Sequence, residues 1–316
     1  MKITVLSPIW PATIEALHAR HATRVALSLP PAELPNALRD AEIVVLRSGI
    51  RLDRPLLESA SQLRLIVRAG AGLEGIDRDC ARERGLRVIS VPLSAESVAE
   101  HTLGLMLALG HGIARHDAAL RAGRWEKHAS FGRDLFGRHL GLFGFGRIGQ
   151  RTAELGRAFG MTLSACDRSP EKAEKREAAA RLGLRFAGIG ELFATADVLA
   201  MQVPLTDQTR CLVDARLLAT MKRDAILINV GRGGTVDEKA LYESLRDGRL
   251  AGAALDVFQT EPPKDHPLLT LPNFVGTPHV AAQTQDAQAR VGASVLRIID
   301  AFAAGEDWSA HGVIVV

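Results

Sequence analysis

Residues 140–149 read Leu140-Gly141-Leu142-Phe143-Gly144-Phe145-Gly146-Arg147-Ile148-Gly149, a short apolar run that turns into G-x-G-x-x-G. In a chain with 29 glycines, three spaced glycines carry little weight by themselves. Their context decides the reading. Leu140–Phe143 predicts a buried strand, and Gln150 to Phe159 predicts the helix that the fingerprint requires. Gly144 then permits the tight turn, and Gly146 lets a pyrophosphate approach the backbone. Gly149 lets the helix pack on the strand, and the N-terminal N–H groups of the helix face the anion. A second strand, Thr162–Cys166, ends at Asp167, 23 residues after Gly144. An acid there accepts the ribose hydroxyls of NAD and repels the 2′-phosphate of NADP, while Arg168 beside it acts in the opposite sense. The expected ligand is a dinucleotide, NAD ahead of NADP.

Short apolar runs alternate with helical patterns on both sides of this unit. Upstream, strands are expected at Ile3–Leu6, Arg24–Ser28, Ile43–Leu46, Leu65–Val67 and Arg87–Ser90, with helices between them. Downstream they are expected near Val198–Gln202, Ala225–Asn229 and Gly252–Val257, and Thr284–Ala304 predicts the last helix. Apolar runs without strict alternation suit strands covered on both faces, so the fold class is α/β with parallel sheets. Ser97 to Leu120 reads as one long helix, able to bridge two domains. Arg168–Arg185 holds six basic and three acidic residues, with Glu171 four before Lys175 and Glu177 four before Arg181. That spacing predicts a solvated helix face.

The 316 residues suffice for about two domains. Lys plus Arg number 39 against 36 Asp plus Glu, and the net charge of +3 supplies no basic tract for nucleic acid. The most apolar stretch, Thr102–Gly110, is far short of the ~20 residues of a membrane span. Three scattered cysteines form no C-x-x-C, which argues against disulfides or a structural zinc and fits a soluble, cytoplasmic protein.

Three further segments carry chemistry. Asn229-Val230-Gly231-Arg232-Gly233-Gly234 ends one strand. Leu255-Asp256-Val257-Phe258 ends another and leads to Glu261-Pro262, and Thr277-Pro278-His279 follows the apolar run Phe274-Val275-Gly276. In an open α/β sheet, ligands sit outside the carboxyl ends of the strands, so all three fall on the dinucleotide edge. Any one of them alone reads as a surface charge or a packed histidine; together, after the glycine turn, they read as a site.

With Arg68-Ala69-Gly70-Ala71-Gly72, Val98-Ala99-Glu100, NVGRGGTVD at Asn229–Asp237 and GAALDVFQTEPP at Gly252–Pro263, the chain resembles the D-isomer-specific 2-hydroxyacid dehydrogenase family. The match runs from Arg47-Ser48 through Ala304, and it resembles the short phosphoglycerate dehydrogenase type that has no regulatory domain. The resemblance implies a Rossmann nucleotide domain (93–283) inserted into a flavodoxin-like substrate domain (1–92 plus 284–316), with closure excluding water from the reaction. It implies that Arg232 grips the substrate C1 carboxylate, that His279 is the acid/base and that Glu261 fixes its tautomer. It implies cofactor contacts from Ala71, Gly144, Gly146, Arg147, Ile148, Gly149, Asp167, Val203, Pro204, Val230, Gly231 and Asp256. Substrate contacts would come from Ala69, Gly70, Arg232 and His279. No metal is implied, and a homodimer is.

The chain departs from the family pattern at Ser90-Val91-Pro92-Leu93-Ser94, at Glu74-Gly75 and at Gly231, where relatives commonly have Ala or Ser. Glu261 sets it apart from formate dehydrogenases, and Ala69-Gly70-Ala71 from the lysine-bearing loop of phosphite dehydrogenases. Arg47 and Arg68, each at the end of an expected strand, match arginines near the phosphate in phosphoglycerate dehydrogenases. They point to a second anionic group on the substrate, phosphate, sulfonate or carboxylate, and so to a phosphoglycerate-like acid, with glyoxylate or hydroxypyruvate, sulfolactate and malate as the alternatives. The reading from another class is a nicotinamide-sensing corepressor-type binding protein on the same fold.

Overall fold

The computed structural model describes residues 1–128 and 132–316. Part of the polar stretch Arg121–Arg138, residues 129–131, therefore lies outside the described residues. In chain order the elements begin β1 (Lys2–Val5), α1 (Pro11–Arg20), β2 (Ala22–Val25), α2 (Leu34–Leu38), β3 (Ile43–Leu46), α3 (Arg54–Ser59), β4 (Leu65–Arg68), α4 (Arg78–Glu83) and β5 (Arg87–Ser90). They continue α5 (Ala95–Gly110), α6 (Ile113–Arg121), β6 (His139–Phe143), α7 (Arg147–Ala158), β7 (Thr162–Cys166), α8 (Ala173–Leu182), β8 (Arg185–Phe186) and α9 (Ile189–Thr195). Then come β9 (Val198–Met201), α10 (Ala215–Thr220), β10 (Ile226–Asn229), α11 (Glu238–Arg246), β11 (Gly252–Leu255), β12 (Phe274–Gly276), α12 (Gln285–Ala304) and β13 (Val313–Ile314).

The chain divides into two compact units, Met1–Ser94 with Gln283–Val316, and Ala95–Ala282. The first holds a sheet in the order β13-β5-β4-β3-β1-β2, parallel except for β13. The second holds seven strands in the order β12-β11-β10-β9-β6-β7-β8, all parallel. Each is doubly wound. Side chains alternate across a strand, and here both faces are apolar. Val44 and Ile66 face one core with Leu38 and Leu57, while Ile43, Val45, Leu65 and Val67 face another with Val295 and Ile298. In the second unit Leu140, Val198 and Ala200 face one core, and Phe143, Leu199 and Met201 the other. Burial of each such Leu, Ile or Val contributes about 1.5–3 kcal/mol, which is why these strands read as continuous apolar runs.

Helix entries follow their caps. Asp53, Asp77, Asp214, Asp237 and Thr284 each accept backbone N–H bonds two or three residues on, at the starts of α3, α4, α10, α11 and α12. The long helix expected over Ser97–Leu120 is two helices lying wholly in the second unit. Gly112 takes φ +62° at the entry to α6, and a Cβ on Gly110 would stand 2.9 Å from the Arg133 carbonyl oxygen. The strand expected at Arg24–Ser28 forms two residues earlier, because Ala22–Val25 pairs in register with Lys2–Val5. The C-terminal tail adds β13 antiparallel to β5, with Val313 opposite Ser90. The charged helix also differs from its pattern. Glu171 lies before α8 begins, so helical spacing does not apply to it; Lys175 pairs with Asp167, and Arg181 with Glu154.

Candidate functional site

In the second unit the strand order reverses between β6 and β9, and the glycine turn lies at the carboxyl end of β6. Gly144 has φ +104°, a value that L side chains rarely adopt, and a Cβ on Gly149 would run into the Gly144 carbonyl oxygen. Gly146 caps α7 with no side chain, and a Cβ there would meet nothing within 4 Å. The first-turn N–H groups of α7 therefore point past an open backbone, as a pyrophosphate requires. Behind the turn, Gln202 Nε2 donates to Thr152 Oγ1 at 2.7 Å, while its buried Oε1 has no partner among the described residues. Asp167 is tied to this turn, accepting from Phe145 N–H at 2.9 Å. Burial would raise its carboxyl, but the Lys175 ammonium and the Ser169 and Phe145 N–H groups outweigh that and hold it below the usual carboxylate range. These residues fit a dinucleotide.

Strands β10, β11 and β12 are neighbours, and the three chemistry-bearing segments leave from their carboxyl ends. Arg232 stands three residues past β10. Its carbonyl accepts from Asn229 Nδ2 at 3.1 Å and Thr235 Oγ1 at 2.7 Å, and its Nη1 donates to the Gly231 carbonyl at 2.7 Å. A Cβ on Gly231 would come within 2.8 Å of the Val203 carbonyl oxygen, so this backbone leaves little room for the Ala or Ser of relatives.

His279 sits at φ +55°, its N–H donating to the Asp256 carbonyl at 2.8 Å. Its Nδ1 lies 2.9 and 3.1 Å from the two Glu261 oxygens. An ionised carboxylate only accepts, so Nδ1 carries the proton and Nε2 is left for other chemistry. Burial would raise the Glu261 carboxyl; the bond and charge of His279, with the Phe258 N–H, bring it below its ordinary value. Asp256, 1% exposed, organises the same loop by accepting from Thr277 Oγ1 (2.7 Å), Val280 N–H (2.9 Å) and Ala281 N–H (3.0 Å).

Residues that the motifs did not single out complete this edge. His101 of α5 donates from Nε2 to Thr277 Oγ1 at 3.0 Å and stands 3.6 Å from Asp256. Against the burial that would raise it, these donors keep Asp256 below the usual carboxylate range. Glu238 accepts from Gln259 N–H at 2.6 Å and faces His266 Nε2 at 3.0 Å, fixing the segment that carries Glu261. The sequence signal for His101 is its place after Glu100 at the start of an apolar helix; for Glu238 it is an acid on the buried side of α11. A Cβ on Gly233 would run into the Phe258 carbonyl oxygen. Gly233→Ala is therefore expected to cost about 1–3 kcal/mol through backbone displacement, read as a lowered urea midpoint at unchanged m-value.

In the first unit, Leu46 of β3 stands opposite Arg68 of β4, so Arg47 and Arg68 leave neighbouring strand ends. Arg68 is buried and donates from Nε to the Gly72 carbonyl at 2.6 Å, closing the Ala69-Gly70-Ala71 turn on itself. Arg47 donates from Nη1 to Gln283 Oε1 at 3.1 Å. Among the described residues, no group of three or more His, Cys, Asp or Glu is placed to hold a metal ion, and no helix is long and apolar enough to cross a membrane.

Residues 103–281 match the family model of the D-isomer specific 2-hydroxyacid dehydrogenase NAD binding domain. The chain is 42% identical over 308 residues to a D-3-phosphoglycerate dehydrogenase of Methanocaldococcus jannaschii, covering 97% of this chain but 58% of that protein. It is 42% identical over 271 residues to a hydroxypyruvate reductase of Thermotoga maritima, covering 84% and 86%. The solved D-lactate dehydrogenase of Aquifex aeolicus, complexed with NAD and lactic acid, superposes with a TM-score of 0.87 at 28% identity, covering 100% and 99%.

Proposed function

The chain belongs to the D-isomer specific 2-hydroxyacid dehydrogenases, and from that premise we propose that it oxidises a small anionic D-2-hydroxy acid at C2, or reduces the 2-oxo acid. The observation that carries this reading is the Glu261–His279 pair, set on the strand edge that also bears Arg232. The nicotinamide, when bound, supplies or takes up the hydride. The protein's part is positioning and proton transfer. Arg232 holds the C1 carboxylate as a planar fork and polarises the C2 oxygen. His279 moves the proton at that oxygen through Nε2, and Glu261 fixes the tautomer and stabilises the imidazolium. Gly144, Gly146, Arg147, Ile148 and Gly149 would hold the pyrophosphate, and Asp167 the ribose. Val203, Pro204 and Ala71 would contact the cofactor, as would Val230, Gly231 and Asp256 toward the carboxamide. In this reading the second unit is the nucleotide domain and the first the substrate domain. Arg47, Arg68, Ala69 and Gly70 receive the substrate there, Arg68 by closing the Ala69-Gly70-Ala71 turn and Arg47 by a charge that favours a phosphoglycerate-like acid.

The test is a panel of 2-hydroxy and 2-oxo acids followed by NADH absorbance. Turnover of at least one anionic D-acid, with no turnover of its L-isomer, is the expected result. Binding of NADH without turnover of any acid would replace the enzyme by a nicotinamide-sensing binding protein.

We place the protein in the cytoplasm, in keeping with its three free cysteines, and as a homodimer. Ile113, Leu120, Trp125 and Phe136 of the second unit are 54–80% exposed, an apolar set that a second copy would cover. Light scattering at a mass of one chain would overturn the dimer.

A further inference from the structure

Asp167 carries a second charge beside it. Lys175, in the first turn of α8, holds its ammonium 2.5 Å from Asp167 Oδ1, and the two side chains are only 15% and 10% exposed. Ser169 N–H donates to the same oxygen at 2.8 Å and Phe145 N–H to Oδ2 at 2.9 Å. A carboxylate offers about four lone-pair sites. Protein donors occupy three of them, so one is left, on Oδ2, where a ribose diol brings two hydroxyl donors.

A bare acid at the end of this strand selects NAD in two ways, by accepting from the 2′-hydroxyl and by repelling a 2′-phosphate. The ion pair weakens both. It takes an Oδ1 site and so leaves the two hydroxyls of the diol a single acceptor site, and it cancels most of the negative charge that the phosphate would meet. A shielded ammonium is itself a phosphate donor, and exposed Arg168 follows Asp167 directly. We propose that Lys175 sets the discrimination between NAD and NADP in this chain, making the preference for NAD shallow and leaving NADP an accepted ligand. The inference rests on reading the glycine turn as the dinucleotide site.

The experiment is calorimetric titration with ADP-ribose and 2′-phospho-ADP-ribose, which report the adenosine end without nicotinamide chemistry. In wild type the two affinities should lie within about tenfold of each other. Lys175→Met should weaken 2′-phospho-ADP-ribose by about tenfold or more and leave ADP-ribose within about threefold, tighter if anything, because Asp167 is released to the diol. Lys175→Arg should keep the wild-type ratio, and Lys175→Gln should repeat the Met result should Met disturb the helix. Parallel weakening of both ligands, or a ratio that moves by less than about threefold, would make Lys175 a structural clasp on Asp167 and sink the proposal. Wild-type protein that binds neither ligand would overturn the dinucleotide reading itself, an outcome distinct from a flat ratio.

Discussion

His279→Ala is expected to lower kcat by about 10²–10⁴-fold while NADH affinity stays within about threefold. The reason is geometric. With Nδ1–H committed to Glu261 at 2.9 Å, the imidazole has one nitrogen left for a reacting oxygen. The residue also sits at φ +55°, where alanine is strained and asparagine is tolerated. His279→Asn therefore separates the two effects: it should lose the rate as fully as alanine does, with a smaller loss of thermal stability. Glu261→Gln should retain part of the rate, since the amide oxygen still accepts from Nδ1 but no longer stabilises the imidazolium. Because the Glu261 carboxyl is depressed in the folded protein, its contact with the His279 loop stabilises above the unfolded glutamate value and is lost as pH falls through the lowered folded one. Steady-state rates of both His279 variants within about threefold of wild type, across pH, would remove His279 from the mechanism.

How legible these features were in the sequence depends on whether local pattern or tertiary pairing decided them. The glycine turn was legible because its backbone leaves no choice of residue: Gly144 at φ +104° and Gly149 against the Gly144 carbonyl require hydrogen as a side chain. Arg232, Asp256, Glu261 and His279 were legible because each follows an apolar run that a doubly wound sheet must end at one edge. The break after Gly110 was not, because Leu105, Leu109 and Ile113 keep helical spacing across a turn that Gly112 makes left-handed. Nor was the partner of Lys175. Glu171 stands at the ordinary i,i+4 distance, yet the helix starts after it, and the ammonium goes instead to an acid eight residues back that only the fold of β7 presents. His101 and Glu238 were hidden for a similar reason: each acts on a loop more than 20 residues away in sequence, at Thr277 and Gln259.

Arg47→Ala is expected to cost a dianionic substrate about 10–150-fold more in kcat/KM than a monoanionic one of similar size, the weight of one charge-assisted hydrogen bond of about 1.5–3 kcal/mol. Burial lowers the Arg47 guanidinium from its ordinary value, but arginine remains charged, so a desolvated cation stands at this strand end. Its Nη1 partner is the neutral amide of Gln283, and among the described residues no acid pairs with it, so an anionic substrate group would match the charge. Glycerate would offer only a hydroxyl at its far end, whereas a phosphate, sulfonate or second carboxylate offers the matching charge. Arg68 should behave differently. It is buried, and its Nε closes the turn at Gly72, so Arg68→Ala should weaken all acids together and also lower the denaturation midpoint. Measuring wild type, Arg47→Ala and Arg68→Ala on 3-phosphoglycerate, sulfolactate, malate and lactate separates the two. Arg232 remains in each variant to hold the C1 carboxylate, so activity on the smallest acid turned over should survive Arg47→Ala. Equal losses across all four acids in Arg47→Ala would assign that arginine to the fold, and the case for a phosphoglycerate-like substrate would then rest on family likeness alone.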